Sequence, residues 1–130
     1  MVTMDWRWSN FTRAEMACKC GCGRADMVPE FMDKLQALRT LYGRPMVVTS
    51  AFRCIEHNIK VSSTGATGPH TTGRAVDIGI RGADAHALLL QVARLKFSGI
   101  GVNQKGGARF IHIDDLPDAP GCPRPTIWSY

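Results

Sequence analysis

Two stretches, Gly73-Arg-Ala-Val-Asp-Ile-Gly-Ile80 and Phe110-Ile-His-Ile-Asp114, decide how the chain folds and where its chemistry sits. In an extended strand, side chains i and i+2 share a face. Val76, Ile78 and Ile80 therefore form one apolar face of the first stretch, and Ala75, Asp77 and Gly79 the other. In the second stretch Ile111 and Ile113 face one way, while Phe110, His112 and Asp114 face the opposite way. Each strand sets polar, metal-competent groups against an apolar face. If both strands lie in one sheet, Asp77, His112 and Asp114 converge on one side of it.

Outward from these strands the pattern is mixed. Thr12 followed by Glu15, with Phe11 before it, reads as a capping box that opens a short helix. Phe31, Leu35, Leu38 and Tyr42 recur at helical spacing, with Pro29 suited to the first turn and Gly43 to the stop. Residues 45–53 are rich in β-formers and read as a strand, whereas residues 61–68, almost wholly Ser, Thr, Gly and Ala, read as a loop. Leu88, Leu89, Val92 and Leu95 mark a second amphipathic helix between Asp84 and Lys96. Short strands at 99–103 and 109–114 flank the turn-like Gln104-Lys-Gly-Gly107 and suit a hairpin. The last segment, residues 115–130, carries four prolines and reads as an extended tail over the surface. The expected fold is α+β: a small, mainly antiparallel sheet, helices packed on one face and the metal site on the opposite one.

A chain of 130 residues suits one domain, residues 1–130, with one core. Hydrophobic residues at 45% and charged residues at 21% match a globular protein and exclude a disordered or fibrous one. No apolar run approaches the roughly 18 residues of a membrane span. The N-terminus, Met-Val-Thr-Met-Asp-Trp-Arg-Trp, lacks the basic and apolar regions of a secretory signal, so synthesis in a cytoplasm is expected. The net charge of +5 favours polyanionic partners, but the basic residues are scattered rather than in runs, which argues against nucleic acid. A monomer is expected.

Five cysteines leave at least one thiol outside any pairing, and three crowd into Cys18-Lys-Cys20-Gly-Cys22. This spacing differs from the C-x-x-C of structural zinc sites, and no second pair to complete a four-ligand cage is evident. A second metal and a tight turn with partly buried thiols both remain open.

Taken singly, a histidine at a strand end or an aspartate before a loop is most often an ordinary surface or hydrogen-bonding group. The joint pattern is more telling. Pro69-His70-Thr-Thr-Gly73-Arg-Ala75-Val-Asp77, followed by Ile111-His112-Ile-Asp114, resembles the M15-like zinc metallopeptidases, the D-Ala-D-Ala carboxypeptidases and murein endopeptidases. Their signature is S-x-H-x-x-G-x-A-x-D with a later His. Thr49-Ser50-Ala-Phe-Arg53-Cys54 is similar to the T-S-G-Y-R segment of that family. Cys18 to Gly23 is similar to a turn in one branch, where phage endolysins are common.

The resemblance implies one catalytic Zn2+ held by His70, Asp77 and His112, leaving a fourth position open. It also implies that Arg53 is catalytic and substrate-binding, anchoring a carboxylate or stabilising a tetrahedral intermediate. The implied substrates are peptidoglycan peptides, cut at stem peptides or cross-links at the bacterial cell wall, after phage-assisted release or within a virion. Two positions depart from the family. Gly68 replaces the Ser of the signature, and Arg109 stands where several members carry a catalytic acid. Asp114 is then the expected catalytic proton carrier, with orientation of a ligand histidine as its alternative role. Glu56 and His57 are reserves, and His86 lies outside the motif. The alternative function is a catalytically weak or inactive zinc-stabilised wall-binding or phage structural module.

Overall fold

Thr12 caps the first helix as its spacing suggests. Its Oγ1 accepts the Glu15 N–H at 3.1 Å, and the Glu15 carboxylate accepts the Thr12 N–H at 2.6 Å, which opens α1 (Arg13–Met16). The computed structural model describes residues 6–130, and the N-terminal residues 1–5 used in the leader reading lie outside them. Pro29 starts α2 (Pro29–Tyr42), and Gly43 ends it at φ 77°, a left-handed conformation that glycine adopts without a Cβ clash.

β1 (Val47–Ser50) is shorter than the stretch expected over 45–53, because the chain leaves the sheet at Ala51 and Phe52 to bury both. β2 (Ala75–Gly79), α4 (Gly82–Arg94), β3 (Gly99–Asn103) and β4 (Phe110–Asp114) fall where their periodicity places them. Two elements depart from expectation. α3 (Ile55–Val61) has no side-chain cap and exposes Ile55, Ile59 and Val61, so no apolar stripe announces it. The supposed tail is not all coil: Thr126–Ser129 forms β5. It pairs in parallel with β3, and parallel pairing needs no hairpin turn to betray it.

The five strands run in the order β1-β2-β4-β3-β5, and every pairing but the last is antiparallel. Val48, Val76, Ile78, Ile111 and Ile113 pack from the sheet against Phe31, Leu35 and Leu38 of α2 and Leu88 and Val92 of α4. Burying each such side chain contributes about 1.5–3 kcal/mol. The fold is α+β, and strand alternation leaves Asp77 and His112 on the face turned away from this core. Among the described residues, no helix is long and apolar enough to cross a membrane.

Candidate metal centre and active site

Register brings the two strand ligands together. Asp77 of β2 stands opposite His112 of β4. His70 reaches them from a single tight turn (Pro69–Thr72) that precedes β2. That turn returns through Gly73 at φ 75°, where a Cβ would strike the carbonyl oxygen of Asp26. The backbone around it is pinned on both sides: Val28 N–H donates to Gly73 O at 2.9 Å, and Arg53 N–H to His70 O at 3.0 Å.

The hydrogen bonds of the two imidazoles dictate which ring nitrogens carry protons. His70 Nδ1 lies 2.7 Å from Ala51 O, and a carbonyl can only accept, so Nδ1 donates. His112 Nε2 lies 2.8 Å from Asp114 Oδ2, which likewise accepts. The opposite nitrogens, His70 Nε2 and His112 Nδ1, point at the same oxygen, Asp77 Oδ1, at 3.3 and 3.0 Å. In the neutral imidazoles both present lone pairs to an anionic oxygen. Such a convergence is relieved by two added protons or by one cation, and a histidine that donates through its other nitrogen is the usual form of a metal ligand. The three ligand atoms all lie within 4.8 Å of one another. The donor set therefore fits a zinc-class ion.

Protonation follows the same geometry. Burial pushes the Asp77 carboxyl up, but the hydrogen bonds of His112 and His70 outweigh it and hold the group well below the usual carboxylate range. Burial disfavours a charged His112, yet Asp114 and Asp77 on its two sides raise its pKa.

Asp114, expected as the proton carrier or as the partner that orients a ligand histidine, lies behind His112. It is fully buried and lines no part of the pocket above the candidate metal cluster. Its Oδ2 accepts from His112 and from Arg124 Nη2 at 2.9 Å, while its Oδ1 accepts from Arg124 Nε at 2.9 Å. Burial raises its pKa, but these partners lower it on balance. Nothing in the sequence signals Arg124, an isolated cation between prolines. Room for this pair comes from β3: a Cβ at Gly99, opposite Asp114, would fall among the Asp114 carboxylate atoms. One at Gly101, opposite His112, would meet the Trp128 indole.

The pocket has a volume of about 710 Å³, and His70, Asp77, His112, Arg53, Trp128 and Tyr130 are among its lining residues. Arg53 is held by Ser50 Oγ and Asn58 Oδ1, both at 3.2 Å, and its Nη2 lies 3.9 Å from Asp77 Oδ2. Trp128, on β5, stands with its ring centroid 5.1 Å from that of His112. Glu56 and His57 on α3 do not line the pocket, and His86 is exposed on α4. Arg109 hydrogen-bonds to Gly106 O at 2.9 Å and lines a separate depression with Arg81 and Asp84. Gly68 has a local reason. A Cβ there would collide with the Thr64 hydroxyl, which Asn58 and Ser62 bind, so Thr64 brings a hydroxyl to the space where a side chain at 68 would begin.

The family model described as Peptidase M15 matches residues 9–114, which is most of the chain. The chain belongs to the peptidase M15 family. The match covers all three residues of the candidate metal cluster and Arg53, and it ends at Asp114, before Arg124 and Trp128. M15 peptidases are zinc-dependent, and the donor set of this member accords with that chemistry. No curated protein matches the chain.

Proposed function

We propose that this M15 peptidase is a zinc enzyme that hydrolyses amide bonds in peptidoglycan stem peptides or cross-links. The observation that carries the reading is the convergence of His70 Nε2, His112 Nδ1 and Asp77 Oδ1 beside an open pocket. These three residues would hold one ion. When bound, zinc supplies a Lewis acid for an amide carbonyl and acidifies a water towards neutrality.

The remaining roles belong to the chain. Arg53 presents a fixed guanidinium fork to a substrate carboxylate or to the developing oxyanion, a geometry lysine lacks. Asp114 is a positioning residue: it keeps His112 in the tautomer whose Nδ1 faces Asp77, and Arg124 fixes Asp114. Trp128 offers an aromatic wall to the substrate. Tyr130 lines the same pocket, and its phenol O–H can donate a hydrogen bond to developing charge. The positive net charge favours an acidic polymer such as the bacterial wall.

One observation favours a second reading. Among the described residues, Asp77 is the single carboxylate lining the pocket. A site with no further acid suits a zinc-stabilised wall-binding or phage structural module of weak or no activity. Mass spectrometry of muropeptides after incubation with zinc-loaded full chain separates the two. Shortened or uncrosslinked stem peptides, absent with chelator, are expected. Intact muropeptides, together with co-sedimentation of the protein with sacculi, would replace the peptidase by the binding module.

A further inference from the structure

A second cluster stands apart from the histidine site. Cys54, immediately before α3, reaches back to the turn that carries Cys18, Cys20 and Cys22. The sulfurs of Cys18 and Cys20 are 3.5 Å apart, those of Cys18 and Cys54 3.7 Å, and those of Cys20 and Cys54 3.6 Å. With Cys22 included, all four sulfurs lie within 4.8 Å of one another. Four thiolates bound at about 2.3 Å around a tetrahedral ion stand about 3.8 Å apart, close to the spacings found here.

The backbone is shaped to the same end. Gly21 and Gly23 take φ of 89° and 80°, which lets the short C-x-C-x-C turn curl its sulfurs inward rather than alternate them. Cys18 N–H donates to Arg24 O at 2.8 Å and closes the loop. One amide N–H aims at the sulfurs: Cys54 N–H lies 3.4 Å from Cys18 Sγ. Such a donor favours a thiolate. All four thiols are free, and in a reducing compartment clustered cysteines serve metal binding rather than disulfides.

We propose that Cys18, Cys20, Cys22 and Cys54 hold a structural divalent ion of zinc's class in a closed tetrathiolate site. Binding displaces the four thiol protons and leaves no coordination position for substrate. Its effect is to staple the loop before α2 to the start of α3. Arg53 adjoins Cys54 and holds the His70 carbonyl, so the staple braces one wall of the pocket without sharing its ligands.

The test uses full-length protein purified in reductant with zinc. A His70→Ala/His112→Ala variant is expected to keep one zinc per chain, with an all-sulfur shell at about 2.3 Å by X-ray absorption. Adding Cys22→Ser, at an exposed position, is expected to abolish that retention against a chelator while circular dichroism stays native. Native wild-type protein substituted with cobalt should show thiolate-to-cobalt charge transfer, which Cys22→Ser removes or shifts. A folded histidine variant free of metal, a nitrogen or oxygen shell, or four thiols alkylated as fast with zinc as without it would overturn the proposal. Wild type holding a single, all-sulfur ion would support this site and count against the histidine centre instead.

Discussion

Arg124 grips Asp114 with two parallel hydrogen bonds, Nε on Oδ1 and Nη2 on Oδ2, both 2.9 Å, and both side chains are shielded from solvent. The fork ties the segment leading into β5 to the strand that carries His112. Arg124→Ala leaves a buried carboxylate without its cation, for which about 3–5 kcal/mol of destabilisation is expected in urea unfolding. Arg124→Lys keeps the charge and loses the fork, so an intermediate loss is expected; equal stability of all three proteins would remove the fork from the account.

Asp114→Asn distinguishes positioning from proton transfer. If Asp114 orients His112, zinc affinity of the histidine centre falls roughly 10–100-fold in competition titrations, as for other partners of metal-bound histidines. A proton carrier would instead lose turnover at unchanged zinc affinity.

Arg53→Lys addresses substrate recognition. A charge-assisted hydrogen bond contributes about 1.5–3 kcal/mol, so a roughly 10–100-fold rise in KM is expected for peptides with a free carboxylate at the recognised end. Amidated peptides should show little change. An equal effect on both substrates would point to the oxyanion rather than the carboxylate.

Gly68→Ser restores the residue found in the M15 signature but places its Cβ against the Thr64 side chain. Overpacking of this kind costs about 1–3 kcal/mol. Thr64→Ala in the same chain should recover most of that loss in thermal unfolding, and additive effects of the two changes would show that they do not meet.

Thr12→Ala serves as a contrast far from the site. It deletes the capping box of α1, for which roughly 0.5–2 kcal/mol of stability is expected to be lost. Zinc stoichiometry should not move. A change in metal content would mean that α1 governs the centre as well as the fold.

The site was readable where chemistry follows local rules. Strand parity places Asp77 and His112 on one face because alternation is a property of each strand alone, and the glycine-flanked motif marks His70. Parity also puts Asp114 on that face, yet it does not say which hydrogen bonds the carboxylate makes. These depend on Arg124, which arrives through a parallel strand between prolines and carries no local signal. Cys54 is similar: it sits beside the motif-bearing Arg53, but only the tertiary return of the chain to residues 18–22 gives it three companions. α3 carries no local signal because it exposes its apolar residues and buries Asn58, the reverse of an amphipathic helix.

Gly99 and Gly101 contribute nothing that a survey by truncation can remove. Replacing functional groups by alanine reveals residues that act through atoms they possess, and it would score β3 as silent if it skipped its glycines. Here the sheet serves the centre through absent atoms, so the informative experiment on β3 adds a single carbon. Sequence variation tolerated elsewhere in the strand should stop at these two positions, and a newly found relative with a side chain at either one should also differ at Asp114, Arg124 or Trp128.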